Sequence, residues 1–185
     1  TAMGHRLIRS WMERPLLSPV QVNKRLDAVE DLVGDAIARQ EIAECLREVT
    51  DLERLIGRIV YGTAGARDLV ALSGGLGKLP RLRALLAPFR SSLLTVLRES
   101  IDDLQDLREH IARALVEEPP FSVREGGFIR AGYHPEVDRL RDIMANGKGL
   151  VASIEAREKE KTGIKSPKVG YNKVFGYYIE VSKSY

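Results

Sequence analysis

The fold is decided by the stretch PEVDRLRDIMANGKGLVASIEAREKEKTGIKSPKVGYNKVFGYYIEV, residues 135–181, in which the spacing of apolar side chains changes once. In its first part, residues 135–161, apolar side chains recur every three or four positions, which predicts one long helix spanning roughly 40 Å. After Gly163 the apolar period becomes two, which is typical of β-strands. The stretch therefore predicts a long helix followed by a β-ribbon.

The ribbon is predicted from two strand-like runs, residues 168–171 and 175–181. Asn172 and Lys173 lie between them and predict a tight turn, because asparagine tolerates a positive φ. A two-stranded ribbon is marginally stable alone, so we expect it to be the truncated beginning of a larger sheet.

The preceding residues are predicted to form a helical bundle. Stripes at helical spacing indicate amphipathic helices, for which Val22, Leu26, Val29 and Val33 are an example. Trp11 and these stripes are expected in the core.

A small β-hairpin is expected after the bundle. Residues 117–120, Glu-Glu-Pro-Pro, break the helical pattern, and strand-like residues at 121–124 and 128–130 surround Glu-Gly-Gly. The predicted fold class is therefore mainly α: a helical bundle with a long helix, a small β-hairpin and a truncated two-stranded β-ribbon at the C-terminus. Two domains are expected, at 1–162 and 163–185.

Composition favours a globular cytoplasmic protein without a membrane anchor. The chain has 185 residues, 44% of them hydrophobic and 30% charged, which argues against disorder. Cys45 is the only cysteine, which suits a reducing compartment, and we expect it to be buried and inert. Apolar runs are too short for a transmembrane helix, and the N-terminus has no signal-peptide pattern.

No catalytic, cofactor-binding or metal site is predicted. The glycine-rich segment 74–78 lacks P-loop spacing, because Leu72 and Leu79 stand where a glycine and a hydroxyl residue are needed. The three histidines are scattered, without the spacing of metal ligands.

The positive charge of the chain is concentrated at its end. The net charge is +3, and residues 162–185 hold four lysines against Glu180, so residues 1–161 sum to zero. Lysines and tyrosine hydroxyls on a ribbon suit a phosphate backbone, whereas lysines on strands also protect sheet edges from aggregation. The candidate DNA-backbone contacts are Lys165, Lys168, Lys173, Lys183, Tyr171 and Asn172.

The segment GIKSPKVGYNKVFGYYIEV, residues 163–181, resembles the signature of the bacterial DNA mismatch-repair MutS family, and REGGFIR at 124–130 agrees with it. The resemblance covers essentially the whole chain. It implies a fragment: the helical core, or lever, domain that links the ATPase to the DNA clamp, followed by the first strands of the clamp.

The resemblance also implies the partners of the full protein. These are double-stranded DNA contacted through its backbone, a second copy in a homodimer, and downstream mismatch-repair proteins, with no membrane. ATP and Mg²⁺ are expected only in the missing ATPase domain, so the chain itself is not expected to be an enzyme. The alternative is a helical protein–protein interaction scaffold without nucleic-acid binding.

The fragment implied by the resemblance affects the surface of the long helix. The helix that returns beside it in the family is expected to be missing. Apolar side chains around Leu140, Met144 and Val151 are then left bare, which predicts weak self-association or a mobile long helix.

Overall fold

The computed structural model describes residues 1–164, 167–174 and 176–182, although not the side chain of Lys148. It is mostly helical and ends in a small antiparallel sheet, which confirms the predicted fold class. The helices are α1 Ala2–Glu13, α2 Pro19–Gly34, α3 Ala36–Arg47, α4 Leu52–Val60, α5 Ala66–Leu76, α6 Leu79–Leu85, α7 Ser92–Ser100, α8 Gln105–Ala114, α9 Pro135–Ala145 and α10 Gly147–Thr162. The strands are β1 Lys168–Asn172 and β2 Gly176–Glu180.

Short polar side chains begin several of these helices. The Thr1 hydroxyl accepts a hydrogen bond from the Gly4 N–H, and the Asp35 carboxylate accepts one from the Ala38 N–H. Each bond satisfies a backbone donor that has no partner within the first helical turn. Ser18 precedes α2 with Pro19 at the first position, as its sequence predicts, but its side chain makes no capping bond.

The helices fold into two compact units, Thr1–Arg130 and Ala131–Tyr185. Within the described residues of the first unit, one buried cluster joins α2, α3 and the segment 86–94 through Ala28, Ile42 and Phe89. A second joins α4 and α5 through Leu55, Leu72 and Leu76. The change from helix to strand falls after Thr162, as expected, whereas the chain divides into the two units after residue 130. The division at 162/163 into domains stays a prediction.

Helix α2 buries a different face from the one its sequence indicates. Val22, Leu26, Val29 and Val33 were expected in the core, but all four are exposed. The face that carries Ala28 is the one that packs, and Asp31 on it accepts hydrogen bonds from the backbone N–H groups at 90 and 91, at the start of α7. An anion at a helix N-terminus is favourable, so this polar contact fixes which face turns inward.

Trp11 also lies outside the core. It is 37% exposed, and the Arg25 guanidinium carbon stands 3.5 Å from its ring centroid. A cation over an indole face is an attractive contact, so the Arg25 side chain covers one face of the ring.

The hairpin expected at 121–130 is wrong. Residues Val123–Glu125 form a 3₁₀ turn, and Ile129 instead makes an antiparallel bridge with Leu115. The Val116 N–H donates to the Phe128 carbonyl, and the Arg130 N–H donates to the Ala114 carbonyl. The second run therefore pairs with the residues after α8, which local sequence pattern does not reveal.

The single helix expected over 135–161 is also wrong in detail. The chain leaves helical geometry at Asn146, where φ is −106° and ψ is 24°, so two helices, α9 and α10, replace it. Asn146 is followed by Gly147 and Gly149, and both residue types are poor helix formers. Apolar spacing continues across the break, which is why periodicity alone predicted one helix.

Candidate nucleic-acid interface

The ribbon pairs its two strands in a register that separates two faces. Val169 lies opposite Ile179 and Tyr171 opposite Tyr177, so these four side chains share one face. The other face carries Lys168 opposite Glu180 and Gly170 opposite Tyr178, from the same register. Glu180 therefore lies directly across from Lys168 and offsets part of the positive charge of the ribbon.

The sequence-predicted tight turn at Asn172 and Lys173 is longer than expected. Asn172 pairs with Gly176, so the connection is longer than two residues, and Lys173 and Val174 form its turn. The Asn172 side-chain oxygen accepts a 2.7 Å hydrogen bond from the Val174 N–H, and Gly176 has φ of +74°, which favours glycine. Asn172 thus shapes the turn, a role different from the DNA contact predicted for it.

Lys168 and Lys173 are both exposed, one in β1 and the other in the turn. Tyr171, another predicted contact, is 62% exposed. Lys165 and Lys183, the other two lysines of the prediction, lie outside the described residues. The structure therefore describes four of the six predicted site residues, and they lie on one strand and its turn. Lys168 and Tyr171 are on opposite faces of that strand.

A tyrosine pair stands at the turn end of the ribbon. The rings of Tyr171 and Tyr177 are 5.0 Å apart, centroid to centroid, and are tilted by 58°. Tilted aromatic pairs at this distance attract each other. Tyr177 is 72% exposed, so its hydroxyl can act as a second donor on the face that carries Tyr171. The alternating pattern placed Tyr177 on a strand without indicating that it faces Tyr171.

Helix α10 supports the ribbon through a carboxylate. Glu155 accepts a 2.7 Å hydrogen bond from the backbone N–H of Val169 in β1. Sequence analysis missed this contact, because an acidic residue on a charged helix resembles any solvated side chain. The contact fixes β1 against α10 within the second unit.

An apolar groove of about 590 Å³ lies between α9, α10 and the ribbon. Its walls include Met144, Leu150 and Ile154 from the helices, with Val169 and Ile179 from the strands. Met144 is 86% exposed. The predicted bare apolar region on these helices therefore has a counterpart in the structure, although its effect on association stays a prediction.

Lys78 and Cys45, which the sequence did not support as catalytic residues, both make contacts that stabilise the fold. Lys78, at the end of the glycine-rich segment, forms an ion pair with Glu48 and lowers the pKa of that carboxyl below its usual value. Cys45 is fully buried, as expected, with its sulfur 3.7 Å from the Lys78 carbonyl oxygen. Across 1–164, 167–174 and 176–182, no group of three or more metal-ligating side chains is found. No helix in this part of the chain is long and apolar enough to span a bilayer.

The family model described as MutS domain III matches residues 1–165. The chain belongs to the MutS family. A DNA mismatch repair protein MutS of Methanosarcina acetivorans is 52% identical over 98% of this chain. Those of Symbiobacterium thermophilum and Brevibacillus brevis are 51% and 50% identical over 99% and 100% of it.

These alignments extend through the ribbon, beyond the end of the domain III match. The aligned region is 21% of each of these three MutS relatives. The chain therefore spans about a fifth of the length of the curated relatives that it matches.

Proposed function

We propose that this chain is the lever region of a MutS-type mismatch-repair protein and that its ribbon begins the clamp that contacts DNA. The support is its membership of the MutS family and the names of its relatives, which are DNA mismatch repair proteins. In this proposal the helices connect the ATPase to the clamp, and the full protein acts as a dimer on double-stranded DNA with later repair proteins.

The observation that carries DNA contact is the exposure of the lysines and tyrosines of β1 and its turn. Lys173 is exposed in the turn, and the exposed tyrosines Tyr171 and Tyr177 beside it carry hydroxyl donors. Lys168 adds a second exposed charge at the other end of the same strand. Ammonium groups and hydroxyls bind phosphate oxygens whatever the base sequence, so binding is independent of sequence. The net positive charge of residues 162–185 strengthens this attraction.

The test is fluorescence anisotropy of a labelled DNA duplex titrated with the chain at two salt concentrations. If Lys165, Lys168, Lys173 and Lys183 each neutralise one phosphate, the slope of log affinity against log salt is about −3.6. Affinity then falls on the order of 100-fold between about 50 and 200 mM salt. Changing the four lysines to alanine removes most of the binding and of the salt slope.

The matched control changes four other cations to alanine. Arg14, Lys24, Arg47 and Arg83 are exposed, and none has an ion pair within the described residues. Equal losses in the two variants would show attraction to charge in general and would contradict a ribbon site. Absence of binding at low salt would leave the lever role and remove DNA contact from this ribbon.

ATP hydrolysis belongs to another part of the full protein in this proposal. The family match is to domain III. In this proposal, ATP and Mg²⁺ bind the ATPase domain of the full protein. The purified chain is expected to release no phosphate from ATP, and the cytoplasmic location expected from its sequence goes with this role. Measured turnover by a clean preparation would contradict this assignment.

A second candidate function is a protein–protein interaction scaffold without DNA binding. The observation that favours it is the exposed apolar stripe of α2, where Leu26, Val29 and Val33 are each more than half exposed. Exposed contiguous apolar surface marks interaction sites. This function predicts no salt-dependent DNA binding in the titration above, which separates the two candidates.

A further inference from the structure

Arg108 of α8 is a partly buried cation without a counter-ion. Its backbone N–H bonds to the Leu104 carbonyl, but its guanidinium has no hydrogen bond or ion pair among residues 1–164, 167–174 and 176–182. The comparable arginines, Arg25 and Arg98, are also partly buried, and they contact Trp11 and Glu99 respectively. A partly buried guanidinium without a counter-ion attracts an external anion more strongly than a fully solvated one does, so an anion at Arg108 would be stabilised.

Arg108 lines a cavity of about 370 Å³ between α5 and α8. Its Nη2 atom stands 3.4 Å from where a β-carbon on Gly77 would be. Arg130 and Glu117 also line the cavity, and its apolar wall includes Val70, Ile111 and Leu115. A cation beside apolar walls suits a ligand that has an anionic group next to an apolar one.

The cavity is part of a longer groove. A second cavity at the α8 side shares Ser73 and Arg108 with it. A third, reaching Arg67 and Pro119, shares Val70 and Glu117 with it. Three connected cavities along α5 form an extended trough, which fits a peptide segment better than a compact small molecule.

The two carboxylates that line the same cavities as Arg108 have other partners. Glu109 accepts a 2.7 Å hydrogen bond from the Gln105 amide, and Glu117 lies 4.0 Å from the Arg130 guanidinium. Glu117 is also 91% exposed at its side chain. Neither supplies the partner that Arg108 lacks.

We propose that this groove binds an acidic peptide segment, with an aspartate or glutamate carboxylate paired to Arg108 and a neighbouring apolar side chain against Val70, Ile111 and Leu115. Arginine is suited to this, because its planar guanidinium can form two parallel hydrogen bonds with one carboxylate. The site lies wholly within the first compact unit, so it is independent of the ribbon and of DNA.

The experiment is an NMR titration of the chain that follows the backbone amides of Gly74 and Gly77, which border the cavity. The probe is acetyl-Leu-Glu-Leu-amide, and its neutral counterpart is acetyl-Leu-Gln-Leu-amide. The acidic probe is expected to shift both amides in a saturable way. The glutamine probe is expected to bind about tenfold more weakly, because a charge-assisted hydrogen bond becomes a neutral one.

Two variants test which arginine binds the carboxylate of the acidic probe. Arg108→Gln removes the cation and is expected to abolish the preference for glutamate over glutamine. Arg113→Gln changes an exposed arginine of the same helix and is expected to keep that preference. The comparison of the two probes on the unaltered chain remains decisive if Arg108→Gln fails to fold.

Three results would overturn the proposal. Equal shifts with the two peptides would show that no carboxylate is recognised. Shifts of the same amides by inorganic phosphate alone, with no response to the acidic peptide, would show a simple ion site. Unchanged amides at millimolar peptide would show that the groove is not a peptide site.

Discussion

The carboxylate of Glu155 holds the backbone N–H of Val169 at 2.7 Å, and this bond fixes the first strand of the ribbon against helix α10. The two residues are separated by 14 positions, including the end of the helix and the link that follows it. Any force that moves α10 is therefore transmitted to β1 through a side chain as well as through the main chain.

Removing this bond is expected to loosen the ribbon without unfolding the helices. In Glu155→Ala the Val169 N–H loses its acceptor, whereas Glu155→Gln keeps an oxygen at the same distance. Hydrogen bonds to charged groups contribute about 1.5–3 kcal/mol. Hydrogen exchange at the Val169 amide should accelerate strongly in the alanine variant and much less in the glutamine variant. Equal acceleration in both would show that the charge matters and the bond does not.

Two adjacent glycines of α5 are expected to respond to alanine in opposite directions. A β-carbon on Gly75 would lie 2.7 Å from the Thr50 hydroxyl oxygen and 3.2 Å from the Thr50 backbone nitrogen. A β-carbon on Gly74 would meet nothing within 4 Å. Gly75→Ala should therefore destabilise the chain by about 1–3 kcal/mol through overpacking.

Gly74→Ala serves as the matched variant and should stabilise the chain by about 0.5–1 kcal/mol, because alanine favours the helix. Urea unfolding of both variants measures the difference. If both substitutions changed the free energy of unfolding in the same direction, Gly75 of α5 would not be in close contact with Thr50.

The ion pair between Arg6 of α1 and Asp51 at the start of α4 should make the free energy of unfolding depend on pH in the acid range. Arg6 donates to the Asp51 carboxylate at 2.7 and 2.9 Å, and these bonds hold the pKa of Asp51 below its usual value. A carboxyl whose pKa is lower when folded stabilises the fold above its unfolded pKa of about 3.9. That stabilisation is lost as the pH falls through the lower, folded pKa.

Asp51→Asn removes this charge while keeping a side chain that can still begin α4. The free energy of unfolding should differ from that of the unaltered chain most at neutral pH, and the difference should shrink below about pH 4. Urea unfolding across this pH range measures it. Asp27→Asn, which changes an exposed carboxylate, is the control, and an equally large effect there would contradict a specific role for Arg6.

The exposed apolar surface of α9 should cause weak self-association. Met144 and Leu140 are 86% and 51% exposed, and burying apolar surface of this kind is favourable. Sedimentation velocity should show a sedimentation coefficient that rises with concentration, and Met144→Glu should reduce the rise. Met12→Glu, at a 78% exposed methionine of α1, is the control. A strictly monomeric chain at every concentration would contradict the prediction.

Local signals in the sequence predicted where most elements begin and end. Gly34 ends α2, Gly163 follows α10, and the alternation after it gives the ribbon. These features depend on neighbouring residues only. The strand-like run around Ile129 was assigned to the wrong partner, because its bridge with Leu115 joins residues 14 positions apart.

The face that a helix buries was harder to predict. The stripe of α2 that includes Leu26 is apolar enough for a core, yet Ala28 and Asp31 make the packed face. That choice depends on where the start of α7 lies, which periodicity does not encode. For the ribbon, residue type predicted Lys168, Lys173 and Tyr171 as an exposed group, whereas the role of Glu155 needed three-dimensional contacts.

The bridge between Leu115 and Ile129 ties together the two ends of the segment between them. The segment leaves and re-enters the first unit at nearly one point, and Phe121 within it is 85% exposed. Lengthening such a closed loop costs little conformational entropy, about 0.6 kcal/mol for each doubling of its length. Residues near Phe121 are therefore a place where a tag or a fluorescent reporter can be inserted while the helices around it keep their packing.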